Sequence, residues 1–214
     1  MKTFDDQIDM MSLLGKIAPL ERTQASKGTD DAFEIIKQIL PGGKMEGYPT
    51  GKKVWSWKIP PRFEVKHATI RADGQALVGV KDHHLHLLNY SRPFRGTVSH
   101  SELMKHLYSN PELPDAIPFT FRFYEETWGT CIPHSWRPRF KHKEYEIDID
   151  ESLESGSLSV YYDFLLGQNK ETFIICSNIC HPTQVNDSLT SVAVGADIIA
   201  RLGQLKSRKY SYLF

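Results

Sequence analysis

The sequence has little of what would set it apart from ordinary globular proteins. Only 3 of its 214 residues are cysteines. An odd, small number cannot build a disulfide framework and suits a reducing compartment. Net charge is absent as well, since 26 Lys+Arg balance 26 Asp+Glu. A dedicated nucleic-acid binder is usually basic, and no Lys/Arg run occurs, so nucleic acid is excluded as the default partner. There is no run of ~18 apolar residues to form a spanning helix. The opening MKTFDDQIDM is acidic where a secretory signal would be basic and then apolar. These absences predict a cytoplasmic chain with no membrane partner. Repeats and low-complexity tracts are also missing. What is present is 40% hydrophobic and 11% aromatic residues, enough for a packed core. The length suits one large domain or two small ones.

Periodicity divides the chain into three textures. The first ~45 residues read as helical. Phe4, Ile8, Met11 and Leu14 share one helix face, and Phe33, Ile36, Ile39 and Leu40 make the stripe of a second helix over 30–40. Thr29 or Asp30 is its expected cap, and Pro41-Gly42-Gly43 its stop. From about Tyr48 to Asp150 the pattern is β-rich. Trp55, Trp57 and Ile59 alternate with polar residues, and further apolar runs, including Leu85-His86-Leu87-Leu88, are separated by turns. One short helix is expected at 101–107, with Ser101 as its cap. After Asp150 come a strand at 157–165 and an apolar run at 172–176 that reads as a strand buried on both faces. A polar loop, a helix over 188–205 and a strand at 210–214 follow. Strand, loop, helix, strand predicts a parallel α/β unit.

The segment that carries chemistry is Cys180-His181-Pro182-Thr183-Gln184-Val185-Asn186-Asp187. It lies between the end of a strand and the start of a helix, where groups collect in open α/β sheets. Imidazole and carboxylate are both good zinc ligands, and His181 and Asp187 can converge on one cation across a loop. On spacing alone, Asp187 serves equally well as a helix N-cap, and His181 as a hydrogen-bonded loop residue.

Six strings in order carry a resemblance: GKKVWSWKIP at 51–60, LHLLNYSRP at 85–93, PDAIP at 114–118, WGTC at 128–131, ICHP at 179–182 and NDSL at 186–189. Together they resemble the bacterial aminopeptidase-like proteins once described as a domain of unknown function. Members are often encoded among surface-polysaccharide biosynthesis genes. Their catalytic domain is similar to co-catalytic di-zinc aminopeptidases and glutamate carboxypeptidases. The resemblance implies an α/β fold: a partial zinc-exopeptidase-like domain at 1–56 and 150–214, with a mainly parallel sheet and helices, interrupted by an inserted β-rich domain at 57–149.

The resemblance implies that His181 is the first zinc ligand and Asp187 the carboxylate that bridges two zinc ions. Two cations held close repel strongly unless an anion lies between them. The implied reaction is hydrolysis of a peptide or of an amide-bearing small substrate by metal-activated water. Two departures stand out. Thr183 occupies a position where relatives carry an Asp that orients the ligand His, and Ser191 one where they usually have Gly. The general base and further ligands that the resemblance requires have no counterpart before Phe214. The chain therefore reads as an N-terminal, C-terminally truncated member, with no catalytic residue of its own and weak or absent zinc binding. That reading also expects an exposed apolar patch around the last helix. The alternative is a non-catalytic binding or interaction module.

Other metal-like or ligand-like strings have simpler readings. Glu125-Glu126 resembles the paired glutamates of zinc aminopeptidases but precedes Asp187 where it should follow, so surface carboxylates are expected. Asp82-His83-His84-Leu85-His86 would put His84 and His86 on one strand face, without an evident Cys or carboxylate partner. Cys176, Cys180 and His181 are one residue too widely spaced for haem attachment. Cys131, Cys176 and Cys180 are expected to be reduced packing residues. Trp55, Trp57, Trp128 and Trp136 are expected in cores more than on a sugar.

Overall fold

The computed structural model describes residues 8–214, so Phe4 of the expected first stripe lies outside the described residues. The chain divides into two compact units. One comprises the chain up to Arg62 together with Ser155–Phe214, and the other is Phe63–Glu154.

The first unit begins with α1 (Met10–Ile17), capped by Asp9, whose carboxylate accepts from the Ser12 N–H at 2.9 Å. Helix α2 (Lys27–Ile39) starts earlier than its apolar stripe predicts. Ser26 caps it, because the Thr29 hydroxyl is engaged with the Thr23 carbonyl. Gly28 in its first turn looks like a loop residue but packs against the chain, where an added Cβ would meet the Glu21 carbonyl oxygen at 1.9 Å. Strand β1 (Lys44–Pro49) and the hairpin β2 (Lys53–Val54) and β3 (Trp57–Lys58) follow. Trp55 is not in a strand: it sits in the hairpin turn at φ 52° and is 94% exposed.

The second unit is built on β4 (Arg62–Ala72), β5 (Gln75–Gly79) and β6 (Phe94–Ser99), followed by α3 (His100–His106). Two short strands, β7 (Leu107–Tyr108) and β8 (Thr130–Cys131), precede the long β9 (Glu144–Glu154). The sheet order is β5-β4-β9-β6. Tyr145, Ile147 and Ile149 alternate inward along β9 and meet Phe63, Ile70, Val78 and Leu103 in one core. Helix α3 is capped by Ser99, not Ser101, since the Ser99 hydroxyl accepts from the Glu102 N–H at 3.2 Å. The expected strand at 85–88 is instead a single 3-10 turn at His84–His86, closed by the His83 ring accepting from the Leu85 N–H.

The chain then returns to the first unit with β10 (Ser157–Tyr162), antiparallel to β1, and β11 (Phe164–Leu165). The sequence β12 (Thr172–Ile174), a loop, α4 (Thr190–Gln204) and β13 (Ser211–Leu213) follows, with β12 and β13 parallel. This is the α/β unit read from the sequence. Its core gathers Leu13 and Ile17 of α1, Phe33 and Ile36 of α2, Tyr161 of β10 and Val192, Ala196 and Ile199 of α4. Strand β12 departs from the expectation of two-faced burial. It is the edge of the order β11-β13-β12, and Phe173 and Ile174 are 54% and 70% exposed. Cys176, just beyond it, is exposed rather than buried. An apolar run specifies a strand with two faces to cover, but the covering is supplied by neighbours, not by the run itself. No helix among the described residues is long and apolar enough to cross a membrane.

Candidate functional site

Residues 175–189 carry the chain from the end of β12 to the start of α4. Two apolar anchors hold this segment. Ile179 and Leu189, 8% and 1% exposed, belong to the core of the first unit. Between them the backbone makes tight local bonds. The Thr183 hydroxyl donates to the Pro182 carbonyl at 2.7 Å, and the Ser188 hydroxyl donates to the Asn178 carbonyl at 2.8 Å. The second of these bonds ties the two ends of the loop together. Thr183 sits at φ 60°, a left-handed conformation unfavourable for a β-branched residue.

Helix α4 begins at Thr190, later than the sequence pattern suggests. A π-type turn at Val185–Leu189 precedes it, and Leu189 is the N-cap without a side-chain bond. The reading of Asp187 as a helix cap is thereby overturned. Its backbone is non-helical, at φ −112° and ψ 93°. The side chain is 76% exposed, pointing to solvent rather than to helix N–H groups. The Ser191 hydroxyl donates to the Ser188 carbonyl at 2.5 Å, and the Thr190 hydroxyl to the Val185 carbonyl at 2.8 Å.

The loop brings His181 and Asp187 together. His181 Nδ1 lies 3.2 Å from the Asp187 carbonyl oxygen and 4.0 Å from its carboxylate Oδ2. A carbonyl can only accept, so Nδ1 donates and the neutral ring carries its lone pair on Nε2. A ring nitrogen held by a backbone carbonyl while the other carries the lone pair is the arrangement that prepares an imidazole for a metal ion. The donor set thus suits zinc in kind. It is short in number: among the described residues no group of three or more His, Cys, Asp or Glu could hold a metal ion. Burial pushes the nearby Cys180 thiol up from its ordinary range.

A residue at the loop that sequence reasoning missed is Arg22. It lies between α1 and α2 and is fully buried. Its guanidinium donates to the Ile179 carbonyl at 2.8 Å and, at 3.5 Å, to that of Gln184. No periodicity marks a lone Arg in a polar loop. The only signal was a charge beside a run of capping residues, and that is indistinguishable from a solvated loop. Beside the same loop lies an apolar cavity of about 360 Å³, lined by Phe33, Ile36, Tyr161, Ile174, Ile179 and Val192.

The other strings resolve as structure. Glu126 meets Arg92 at 3.2 Å and Glu125 meets Arg122 at 3.2 Å, all at the surface. Within 82–86, His86 donates from Nδ1 to the Cys131 carbonyl at 2.7 Å. Burial holds the pKa of both His83 and His86 below the ordinary histidine range. Cys131 is buried and its thiol pushed up to about 11, while Cys176 and Cys180 are free. Trp128 packs in the second unit, its ring 4.8 Å from Phe94 and 4.0 Å from His106. Arg139 lies 4.0 Å over the Trp136 ring.

Comparison with known proteins agrees with this architecture. Residues 62–152 match a family described as a domain of unknown function (DUF2172). The chain is 30% identical over 207 residues to a Clostridium acetobutylicum protein named provisionally as a polysaccharide biosynthesis protein with an aminopeptidase-like domain. That match covers 96% of this chain and 47% of the relative, so the chain spans about half the relative's length. A crystal structure from Clostridium acetobutylicum, provisionally described as a peptidase, superposes with a TM-score of 0.90 at 30% identity, covering 96% of this chain and 48% of that one. At the level of fold alone, a zinc aminopeptidase from Bacillus subtilis matches at a TM-score of 0.59 and 10% identity, over 95% of this chain and 60% of that one. Residues 62–152 thus match the DUF2172 family, in a chain similar in sequence to an aminopeptidase-like protein and in fold to zinc aminopeptidases.

Proposed function

We propose that this chain contributes the first part of the metal site of a zinc-dependent, aminopeptidase-like hydrolase, with His181 and Asp187 as ligands. The observation that carries this reading is the pairing of the two across the loop between β12 and α4. The Nδ1–H of His181 donates to the carbonyl of the same residue whose carboxylate lies 4.0 Å away. When bound, zinc would supply Lewis acidity and an activated water. The work of this chain is to hold the ligands. The backbone bond sets the imidazole tautomer, the exposed Asp187 carboxylate offers the anion, and the buried Ile179 and Leu189 fix where the loop enters and leaves the core. The remaining ligands and the general base have no counterpart among the described residues, and zinc held by two protein ligands binds weakly. The substrate class is a peptide or an amide-bearing small molecule, in keeping with the names of the relatives. The same shortage of ligands supports a second reading, a non-catalytic binding module.

Zinc titration followed by isothermal calorimetry, with an aminoacyl chromogenic substrate assayed in parallel, tests the proposal. The expected outcome is weak zinc binding that His181→Ala abolishes and Asp187→Ala weakens about tenfold or more. Zinc binding untouched by His181→Ala would refute the site. Absence of zinc binding by the wild-type chain would favour the binding module.

A further inference from the structure

Arg22 is 0% exposed and the largest fully buried side chain among the described residues. Burial lowers its pKa to about 10, which leaves it charged at neutral pH. A buried cation is retained at a desolvation cost of several kcal/mol unless its donors are well used. No acidic side chain forms an ion pair with it among the described bonds, and its Nε has no hydrogen-bond partner. The other two nitrogens face one loop, meeting the carbonyls of Ile179 and Gln184 from a position more than 150 residues away in sequence.

Those two carbonyls bracket residues 180–183. The bracketed stretch contains His181 and the left-handed Thr183. A backbone held in a sparsely populated region persists only where its surroundings over-determine it. The planar guanidinium is suited to that task, because its fixed fork holds two acceptors at a set separation. An ammonium is a single compact charge and cannot do the same. We propose that Arg22 is a positioning residue for His181: by tying the carbonyls on both sides of it, the guanidinium sets the imidazole where a metal ligand is required. Arg22 acts through the loop backbone and touches neither substrate nor metal. The proposal takes His181 as a ligand from the reading above, but the geometry it describes can be tested separately.

The test compares the chain with Arg22→Met, Arg22→Lys and the core variant Ile17→Val. Zinc affinity is read from the His181 ring resonances, and the metal-free tautomer from the 15N shifts of the same ring. Both Arg22 variants are expected to weaken zinc binding about tenfold or more and to lose the single Nδ1–H tautomer. Ile17→Val lowers the melting temperature but leaves affinity and tautomer unchanged. Zinc affinity within twofold of wild type in Arg22→Lys, or in a folded Arg22→Met, overturns the proposal. So does loss of folding in both variants, which would make Arg22 a core residue and nothing more. If the wild-type chain itself gives no zinc response, the metal reading fails, and the tautomer in the metal-free variants still decides the role of Arg22. An unchanged tautomer refutes it and a lost one supports it.

Discussion

Thr183 shows how a single residue links local strain to the site. Its φ of 60° is uncommon for any residue but glycine and worst for a β-branched one, whereas Asn tolerates it. Relief of that strain predicts that Thr183→Asn raises stability by about 1 kcal/mol in urea unfolding. A destabilised variant would show that the Thr183 hydroxyl bond to the Pro182 carbonyl outweighs the strain. Glu151, on β9 in the second unit, poses a different problem. Its carboxyl is 6% exposed, and neither oxygen has a hydrogen-bond partner. Burial pushes its pKa up from the ordinary 4.5 to about 7; Arg92 and Lys66 oppose the shift and Asp150 adds to it. The folded state therefore binds the proton more tightly than the unfolded one. The associated stability is complete below pH 4.5 and is lost as pH rises through about 7, with a slope of at most about 1.4 kcal/mol per pH unit. Glu151→Gln should flatten that slope in melts between pH 4.5 and 8, and an unchanged slope would place the titrating group elsewhere. Both residues were visible in the sequence, and neither gave a sign of its environment.

At the scale of elements, periodicity located the helices and failed at their ends. The stripe of Phe33, Ile36 and Ile39 marked α2 because burial on one face repeats with the helical turn. The start at Lys27 depended on which of several hydroxyls cap, and that followed from the Thr29–Thr23 bond. Strand β12 shows the converse. Its composition anticipates a buried strand, yet as the edge of its sheet it leaves Ile174 exposed. Two Ile→Ala substitutions therefore separate. Ile36→Ala, at a position 1% exposed, should cost about 2–5 kcal/mol. Ile174→Ala, at one 70% exposed, should cost less than about 1 kcal/mol. Equal losses in urea unfolding would mean that β12 is covered in solution.

On the scale of the whole molecule, each of the two units has a core of its own. Leu103, fully buried, lies at the centre of the second. Leu103→Ala should destabilise that unit by about 2–5 kcal/mol, reported by the fluorescence of Trp128 and Trp136. A loss below about 1 kcal/mol would contradict the packing described for α3. The sequence by itself determined the α/β class and the parallel β12–α4–β13 unit. Each of these rests on a pattern local to the chain: an apolar period or a turn signal. Tertiary structure alone decided that Asp187 is not a helix cap, that the histidines of 82–86 form a 3-10 turn, that β12 is an edge and that Arg22 reaches the loop. Those outcomes depend on partners far away in sequence, such as a guanidinium meeting two carbonyls more than 150 residues on. A hydrogen bond or a covered face belongs to two segments at once, and the residues of one segment do not specify the other.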